Sequence, residues 1–192
     1  MKNAAIPERW RRSLADGAAV GAVASLLSTA VLAVASRWET GSWSACLNAT
    51  SHWVWGDEAA EHLEPSLRYT GLGYVIHHGA SCFWATLYER GLGDKFSRMP
   101  PSARIVSAMG AAALACVVDY RVCPRRLSPG FELHLSRPAI AAGYLAFGLS
   151  LGAMTVGGLI AGLLVALAAG LVTRASVLKE DASLAAFYLL SL

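Results

Sequence analysis

Charged residues are scarce in this chain: Asp, Glu, Lys and Arg make up 15% of its 192 residues. A soluble domain usually contains about 25% charged residues, so the deficit argues against water as the main solvent. The formal net charge of +3 is spread along the chain and forms no concentrated basic run. Because phosphate backbones are bound by concentrated basic faces, the sequence also argues against nucleic acid as a partner.

Recognisable catalytic motifs are lacking as well. The chain has no GxSxG, no HExxH, no P-loop and no GxGxxG after a predicted strand. Its cysteines, Cys46, Cys82, Cys116 and Cys123, form no CxxC pair and no zinc-binding spacing. A disulfide between Cys46 and Cys123 stays open as an alternative if both face an oxidising compartment. We therefore predict no catalytic residue and no metal site built on these motifs.

What the chain has instead is long apolar segments, which predict membrane spans at about 17–36, 69–88, 103–120 and 139–159. About 20 uncharged residues match a ~30 Å hydrocarbon core at ~1.5 Å per residue. We therefore predict an all-α fold, a polytopic membrane helical bundle with four transmembrane helices in a single domain, 1–192. The uncharged stretch 138–173 exceeds one straight span, so a fifth span or a helical extension to residue 173 stays open.

The distribution of basic residues favours one orientation of these spans. With four spans and the N-terminus inside, ten of the 16 Lys and Arg residues fall on the inner side. Cytoplasmic loops carry an excess of Lys and Arg, so we predict a cytoplasmic N-terminus. The predicted spans also make the lipid bilayer a predicted partner of the chain.

Small residues recur at the spacing that lets membrane helices approach closely. These small residues predict a compact helical bundle. If one row of them faces outward, they predict contact with another membrane protein or a homo-oligomer instead. The residues concerned are Gly17 and Gly21, Gly148 and Gly152, Gly158 and Gly162, and the ridge Ala108, Ala112 and Cys116.

Two adjacent histidines lie within the second predicted span, and together with Ser81 they form a polar stripe. Such a stripe should face neighbouring helices, because lipid offers no hydrogen bonds. Asp119 lies near the end of the third span, where Arg121, Arg125 or His78 could partner it. The candidate intramembrane polar site is therefore His77, His78, Ser81 and Asp119.

Three interpretations of this polar site stay open. The histidines could form structural hydrogen bonds between helices, or carry protons or ions together with Asp119. They could also bind haem or a metal, since imidazole is a good ligand for both. A haem between helices commonly needs a second axial histidine, and no other predicted span contains one. The cofactor is therefore left unknown.

A second candidate site lies in the loop CPRRLSPGFELHLSRP, which three prolines rigidify. Its arginines could bind lipid phosphates or an acidic partner, and Glu132 could pair with His134. This candidate outer-loop interaction site comprises Arg125, Arg126, Glu132, His134 and Arg137.

Three segments, NATSHWVWGDEAA, GYVIHHGASCFWATLYE and VVDYRVCPRRLSPGFELHLS, together resemble short multi-pass membrane proteins of bacteria whose function is unassigned. The likeness covers roughly residues 38–151. It implies a shared helical bundle in the bacterial inner (plasma) membrane and brings no activity, substrate or cofactor.

These observations leave open whether the protein is an enzyme and favour a non-enzymatic integral-membrane protein. We expect an accessory subunit that assembles with, or stabilises, a membrane partner. A histidine-dependent redox or cofactor-binding protein, and a small transporter or proton pathway, are the alternatives.

Overall fold

The computed structural model of the protein describes residues 6–156. Regular structure in this part of the chain is entirely helical, which confirms the all-α prediction. Its α-helices are α1 Glu8–Thr40, α2 Ala45–Thr50, α3 His52–Trp55, α4 Leu72–Leu92, α5 Pro101–Val117 and α6 Arg137–Val156. The predicted extension to residue 173, the fifth span and the pair Gly158 and Gly162 lie outside the described residues.

The helix ends follow from local chemistry. α1 ends at Gly41, whose φ of 81° is left-handed, and whose N–H donates to the Arg37 carbonyl at 3.1 Å. Glycine suits this position because it lacks the Cβ that makes such a φ unfavourable. Pro101 occupies the first turn of α5, where a missing N–H is tolerated.

Two wider turns of π-helical geometry continue the long helices: Leu67–Gly71 precedes α4 and Val118–Val122 follows α5. The end of α1 is tied to the start of α6, because both the N–H and the hydroxyl of Ser136 donate to the Glu39 carboxylate, each at 2.6 Å. α1 and α6 therefore run antiparallel.

The four long helices form a bundle in which α1 packs against α4 and α6, and α5 packs against α6. On α1, a Cβ placed at Gly17 or Gly21 would lie 2.5 Å from the Cα of Thr86 or Cys82, respectively. This pair of glycines thus lets the backbones of α1 and α4 meet directly.

The second glycine pair makes the corresponding contact between α6 and α5. A Cβ at Gly148 would lie 2.9 Å from the Cβ of Ala112, and one at Gly152 would lie 3.1 Å from the Cα of Ile105. Ala108 and Ala112 are almost fully buried at this contact. In the described part of the chain, the predicted small-residue ridges therefore pack within one molecule.

Among the described residues, three helical segments are long and apolar enough to cross a membrane: Glu8–Thr40, Pro101–Val122 and Arg137–Thr155. The helix α4, which contains the second predicted span, does not meet both conditions. Its length of 21 residues is sufficient. His77 and His78 in its middle, and Glu89 and Arg90 near its end, lower its average hydropathy.

Two connecting segments, 41–66 and 123–136, pack together over one end of the bundle; we call them the cap. The carbonyl of Ser128 accepts hydrogen bonds from His52 Nε2 at 2.9 Å and from Trp53 Nε1 at 2.8 Å. Asn48 is fully buried and donates to the carbonyls of His62 and Glu64, at 2.6 and 3.0 Å. The cap is therefore an ordered layer held by buried polar contacts.

The packing of the cap determines the surroundings of Cys46. Cys46 is buried in a cluster with Leu32, Leu47 and Phe131, and all four cysteines are free. The alternative of a Cys46–Cys123 disulfide is therefore wrong. Burial raises the pKa of the Cys46 thiol to about 11.

Candidate functional site

His78 joins α4 to α1. Its Nδ1 lies 2.8 Å from Ser25 Oγ, and the Ser25 hydroxyl lies 2.8 Å from the Ala22 carbonyl. Because the Ser25 hydroxyl donates its proton to the Ala22 carbonyl, the Ser25 oxygen accepts from the Nδ1–H of His78. The other ring nitrogen, Nε2, lies 3.7 Å from the Cys82 sulfur. His78 is therefore engaged at the α1–α4 contact.

His77 makes the matching contact one helical turn along α1. Its Nε2 lies 2.9 Å from Ser28 Oγ, whose hydroxyl donates to the Ala24 carbonyl at 2.8 Å. By the same reasoning the Nε2–H of His77 donates, and Nδ1 keeps a lone pair. Nδ1 forms no hydrogen bond with the described residues. The ring also packs edge-on against Phe131 of the cap, at 5.6 Å between ring centroids.

A cavity of about 560 Å³, which we call the chamber, lies beneath the cap and between the long helices. His77 and Ser81 line it from α4, and Asp119 lines it from the turn after α5. The chamber thus unites three of the four residues of the predicted intramembrane site, while His78 does not line it. The remaining walls are largely apolar and include the aromatic residues Trp53, Phe83, Trp84, Phe131, Tyr144 and Phe147.

The chamber is closed at one end and open at its side. Away from the cap, α4 meets α5 where the Tyr88 hydroxyl contacts the Arg104 carbonyl at 3.1 Å and Ser107 Oγ at 2.8 Å. Nearer the cap, Phe83 and Leu87 of α4 line the chamber and are 57% and 41% exposed. At these residues the chamber therefore reaches the apolar outer surface of the described bundle.

Asp119 is bound by a tyrosine from α6. Its Oδ2 accepts from the Tyr144 hydroxyl at 2.6 Å, and Trp84 lies beside the carboxylate. No nitrogen of Lys, Arg or His among the described residues lies within 4.0 Å of it.

The predicted partners of Asp119 are therefore wrong. Arg121 and Arg125 are exposed, and His78 is turned toward α1. Proximity in sequence suggested a helix-end ion pair, but the side chain of Asp119 faces the chamber, where α6 brings Tyr144.

Ser81 is 4% exposed, and its hydroxyl forms no hydrogen bond with the described residues. It lines the chamber on the same helix as His77. In the part of the chain that the structure describes, no group of three or more His, Cys, Asp or Glu residues could hold a metal ion. Cys123 lines the same chamber as His77 and Asp119.

The predicted outer-loop site is divided by the structure. Glu132 accepts from the Ser128 hydroxyl at 2.6 Å, and His134 Nε2 donates to the Ala60 carbonyl at 2.9 Å. The predicted pairing of Glu132 with His134 is therefore wrong, because each side chain stabilises the cap instead. The arginines of that site remain exposed and form no ion pair within residues 6–156: Arg125, Arg126 and Arg137.

Several residues of the chamber and of the adjacent α1–α4 contact were missed by the sequence analysis. Ser25 and Ser28 lie three residues apart in the first apolar segment, and this spacing could have marked them as partners for the two histidines. Tyr144 carries a weaker signal, as the one tyrosine in the uncharged stretch 138–173. Phe131 carries none, because its place over the chamber depends on how the cap folds.

No family model, curated protein or solved structure matches this chain. Its class is therefore defined by its own fold: a helical protein with three helices, within the described residues, that are long and apolar enough to cross a membrane.

Proposed function

We propose that this chain is a four-span protein of the bacterial inner membrane with a cytoplasmic N-terminus, in which α4 is the fourth span. α4 lies alongside α1 at the same depth: Thr86 is beside Gly17 and His77 is beside Ser28. Its 21 residues extend over about 31 Å, which matches the hydrocarbon core. The cap then lies on the outer face.

Within this topology, we propose that the protein binds a small lipophilic molecule that enters the chamber from the bilayer. The observation that carries this proposal is the chamber itself. Its volume of about 560 Å³ falls within the ~300–1,000 Å³ typical of small-molecule sites. Apolar walls with a few convergent polar groups are also typical of such sites. Among the functions predicted from sequence, the transport alternative agrees best with such a binding chamber.

The proposal is tested by blocking the chamber. Ala80 lines it from α4, whereas Ala113 on α5 is exposed and does not line it. Wild type, Ala80→Phe and Ala113→Phe would be purified in native-lipid particles, and the small molecules extracted from each would be quantified by mass spectrometry. We expect one small molecule at near-stoichiometric amounts in wild type and Ala113→Phe, and its loss in Ala80→Phe. Equal contents in all three proteins would contradict the proposal.

The accessory-subunit function stays as a second candidate because of the cap's arginines. A guanidinium group binds carboxylates through two parallel hydrogen bonds, and Arg125, Arg126 and Arg137 are exposed without an ion pair in the described region. Crosslinking in native membranes should capture a partner that the triple Arg→Gln variant loses. Arg98→Gln, at the opposite end of the bundle, is the matched control. Recovery of a lone monomer from both wild type and variant would exclude this function.

A further inference from the structure

The chamber holds an acidic group, Asp119, that has no basic partner within residues 6–156. Among the described residues, no cationic side chain lies within 4.0 Å of Asp119, and neither Lys nor Arg lines the chamber. The 2.6 Å separation from the Tyr144 hydroxyl is in the range of charge-assisted O–H···O⁻ bonds. A carboxylate at this depth is costly unless a positive charge compensates it.

The walls around this carboxylate suit a cation. Trp84 lies beside Asp119, and Tyr144 donates to it. Phe131 and Phe147 also line the chamber. The face of an aromatic ring attracts an ammonium or similar cation within about 6 Å of its centre, most strongly where water is excluded.

Two further polar side chains that line the chamber, His77 and Ser81, can act as acceptors. Nδ1 of His77 keeps a lone pair because Nε2 donates to Ser28. The Ser81 oxygen also lies at the chamber wall. Both could receive an N–H from a protonated amine.

We infer that the molecule bound in the chamber is a lipophilic monocation, an amine or a quaternary onium ion, whose charge lies at Asp119 between aromatic rings. This inference rests on the proposed small-molecule function and names its ligand class. The side opening at Phe83 and Leu87 gives such an ion a path from the bilayer, where its apolar groups already partition.

The inference is tested with two ions of the same shape and opposite charge, tetraphenylphosphonium and tetraphenylborate. Full-length protein in phosphatidylcholine nanodiscs would be titrated with each ion, and binding to protein-free nanodiscs would be subtracted. Asp119→Asn keeps the size of the side chain and removes its charge. Glu61→Gln is the control, because Glu61 is exposed in the cap and does not line the chamber.

We expect saturable binding of tetraphenylphosphonium to wild type and at least about tenfold weaker binding of tetraphenylborate, because losing a desolvated charge pair costs more than the tenfold equivalent. Asp119→Asn should weaken phosphonium binding by a similar factor, and Glu61→Gln should leave it unchanged. Equal binding of the two ions by wild type, or full phosphonium affinity in Asp119→Asn, would overturn the inference. The wild-type comparison decides alone if the Asp119 variant does not fold.

The outcomes separate this inference from the proposal on which it rests. A neutral molecule recovered from the chamber, together with no phosphonium binding, overturns the cationic ligand and leaves the small-molecule function in place. Absence of both ion binding and any co-purifying molecule overturns both.

Discussion

The two histidines of α4 each donate one ring N–H to a serine of α1, at 2.8 Å for Ser25 and 2.9 Å for Ser28. In the proposed topology α4 lies in hydrocarbon, where no water can accept from an unpaired N–H, so each serine oxygen stabilises the contact between α1 and α4. His77 differs from His78 because it also lines the chamber. The imidazole of His77 therefore takes part in the α1–α4 contact and also forms part of the chamber wall.

We expect Ser28→Ala to reduce the free energy of unfolding by about 0.6–2 kcal/mol, because it removes the hydroxyl oxygen that accepts from the Nε2–H of His77. Ser150→Ala is the matched control: Ser150 is 1% exposed and its hydroxyl donates to Ala146 of its own helix. Unfolding of both variants in mixed detergent micelles would give the difference. Equal destabilisation by the two substitutions would show that the bond between helices contributes nothing.

Reactivity distinguishes the cysteines of the cap. Since the pKa of Cys46 is raised to about 11, its thiol stays protonated at pH 8, whereas the thiolate is the nucleophile. We expect N-ethylmaleimide to modify the partly exposed Cys123 of the folded protein and to leave Cys46 unmodified from pH 7 to pH 9. Mapping by mass spectrometry before and after denaturation checks this. Modification of both at the same rate in the folded protein would contradict the buried position of Cys46.

At the scale of the helices, close backbone contacts fix how each element is turned. Gly73 near the start of α4 is the tightest of them: a Cβ there would lie 1.8 Å from the Leu47 carbonyl oxygen of α2. This contact sets α4 against the cap, and so sets which face of α4 looks into the chamber.

We expect Gly73→Ala to destabilise the protein by more than about 3 kcal/mol, because overpacking against backbone cannot be relieved by a rotamer change. Gly79→Ala on the same helix should be neutral or stabilising by up to about 1 kcal/mol, since a Cβ at Gly79 meets nothing within 4 Å. Thermal unfolding of the two variants in one detergent makes the comparison. Similar melting temperatures would contradict the contact.

The helices could be predicted from sequence because the thickness of the bilayer fixes how long an uncharged run must be. The polar residues within them could also be found, and His77, Ser81 and Asp119 do share one chamber. The partner of Asp119 could not be predicted, because the rotation of α6 about its own axis depends on glycine contacts such as Gly148 against α5. Sequence proximity favoured Arg121 as the partner of Asp119, whereas the packing of α6 places the Tyr144 hydroxyl there.

The cap was the least predictable part for a related reason. Its hydrogen bonds join residues far apart in the chain, such as His134 and Ala60, which are 74 positions apart. No local pattern in the sequence encodes such a pairing. The loop arginines were recognisable as exposed cations, whereas Glu132 was assigned the wrong partner.

For the whole molecule, the decisive question is the number of crossings. The proposed topology places Glu61 of the cap outside and Lys95 of the turn between α4 and α5 inside, and both are exposed. We expect a membrane-impermeant maleimide to label Glu61→Cys in intact spheroplasts, and Lys95→Cys only after lysis. Labelling of both from outside would show that α4 does not cross the membrane. The reverse pattern would contradict a cytoplasmic N-terminus.

The Ser128 carbonyl accepts two hydrogen bonds of the cap, and its place in the chain determines when they can form during synthesis. Its two donors, His52 and Trp53, are synthesised 76 and 75 residues before it. While the ribosome is still making α4 and α5, these donors have only water or lipid headgroups to bond. Completion of the cap is therefore a late step in folding, because it requires synthesis of the loop that follows α5.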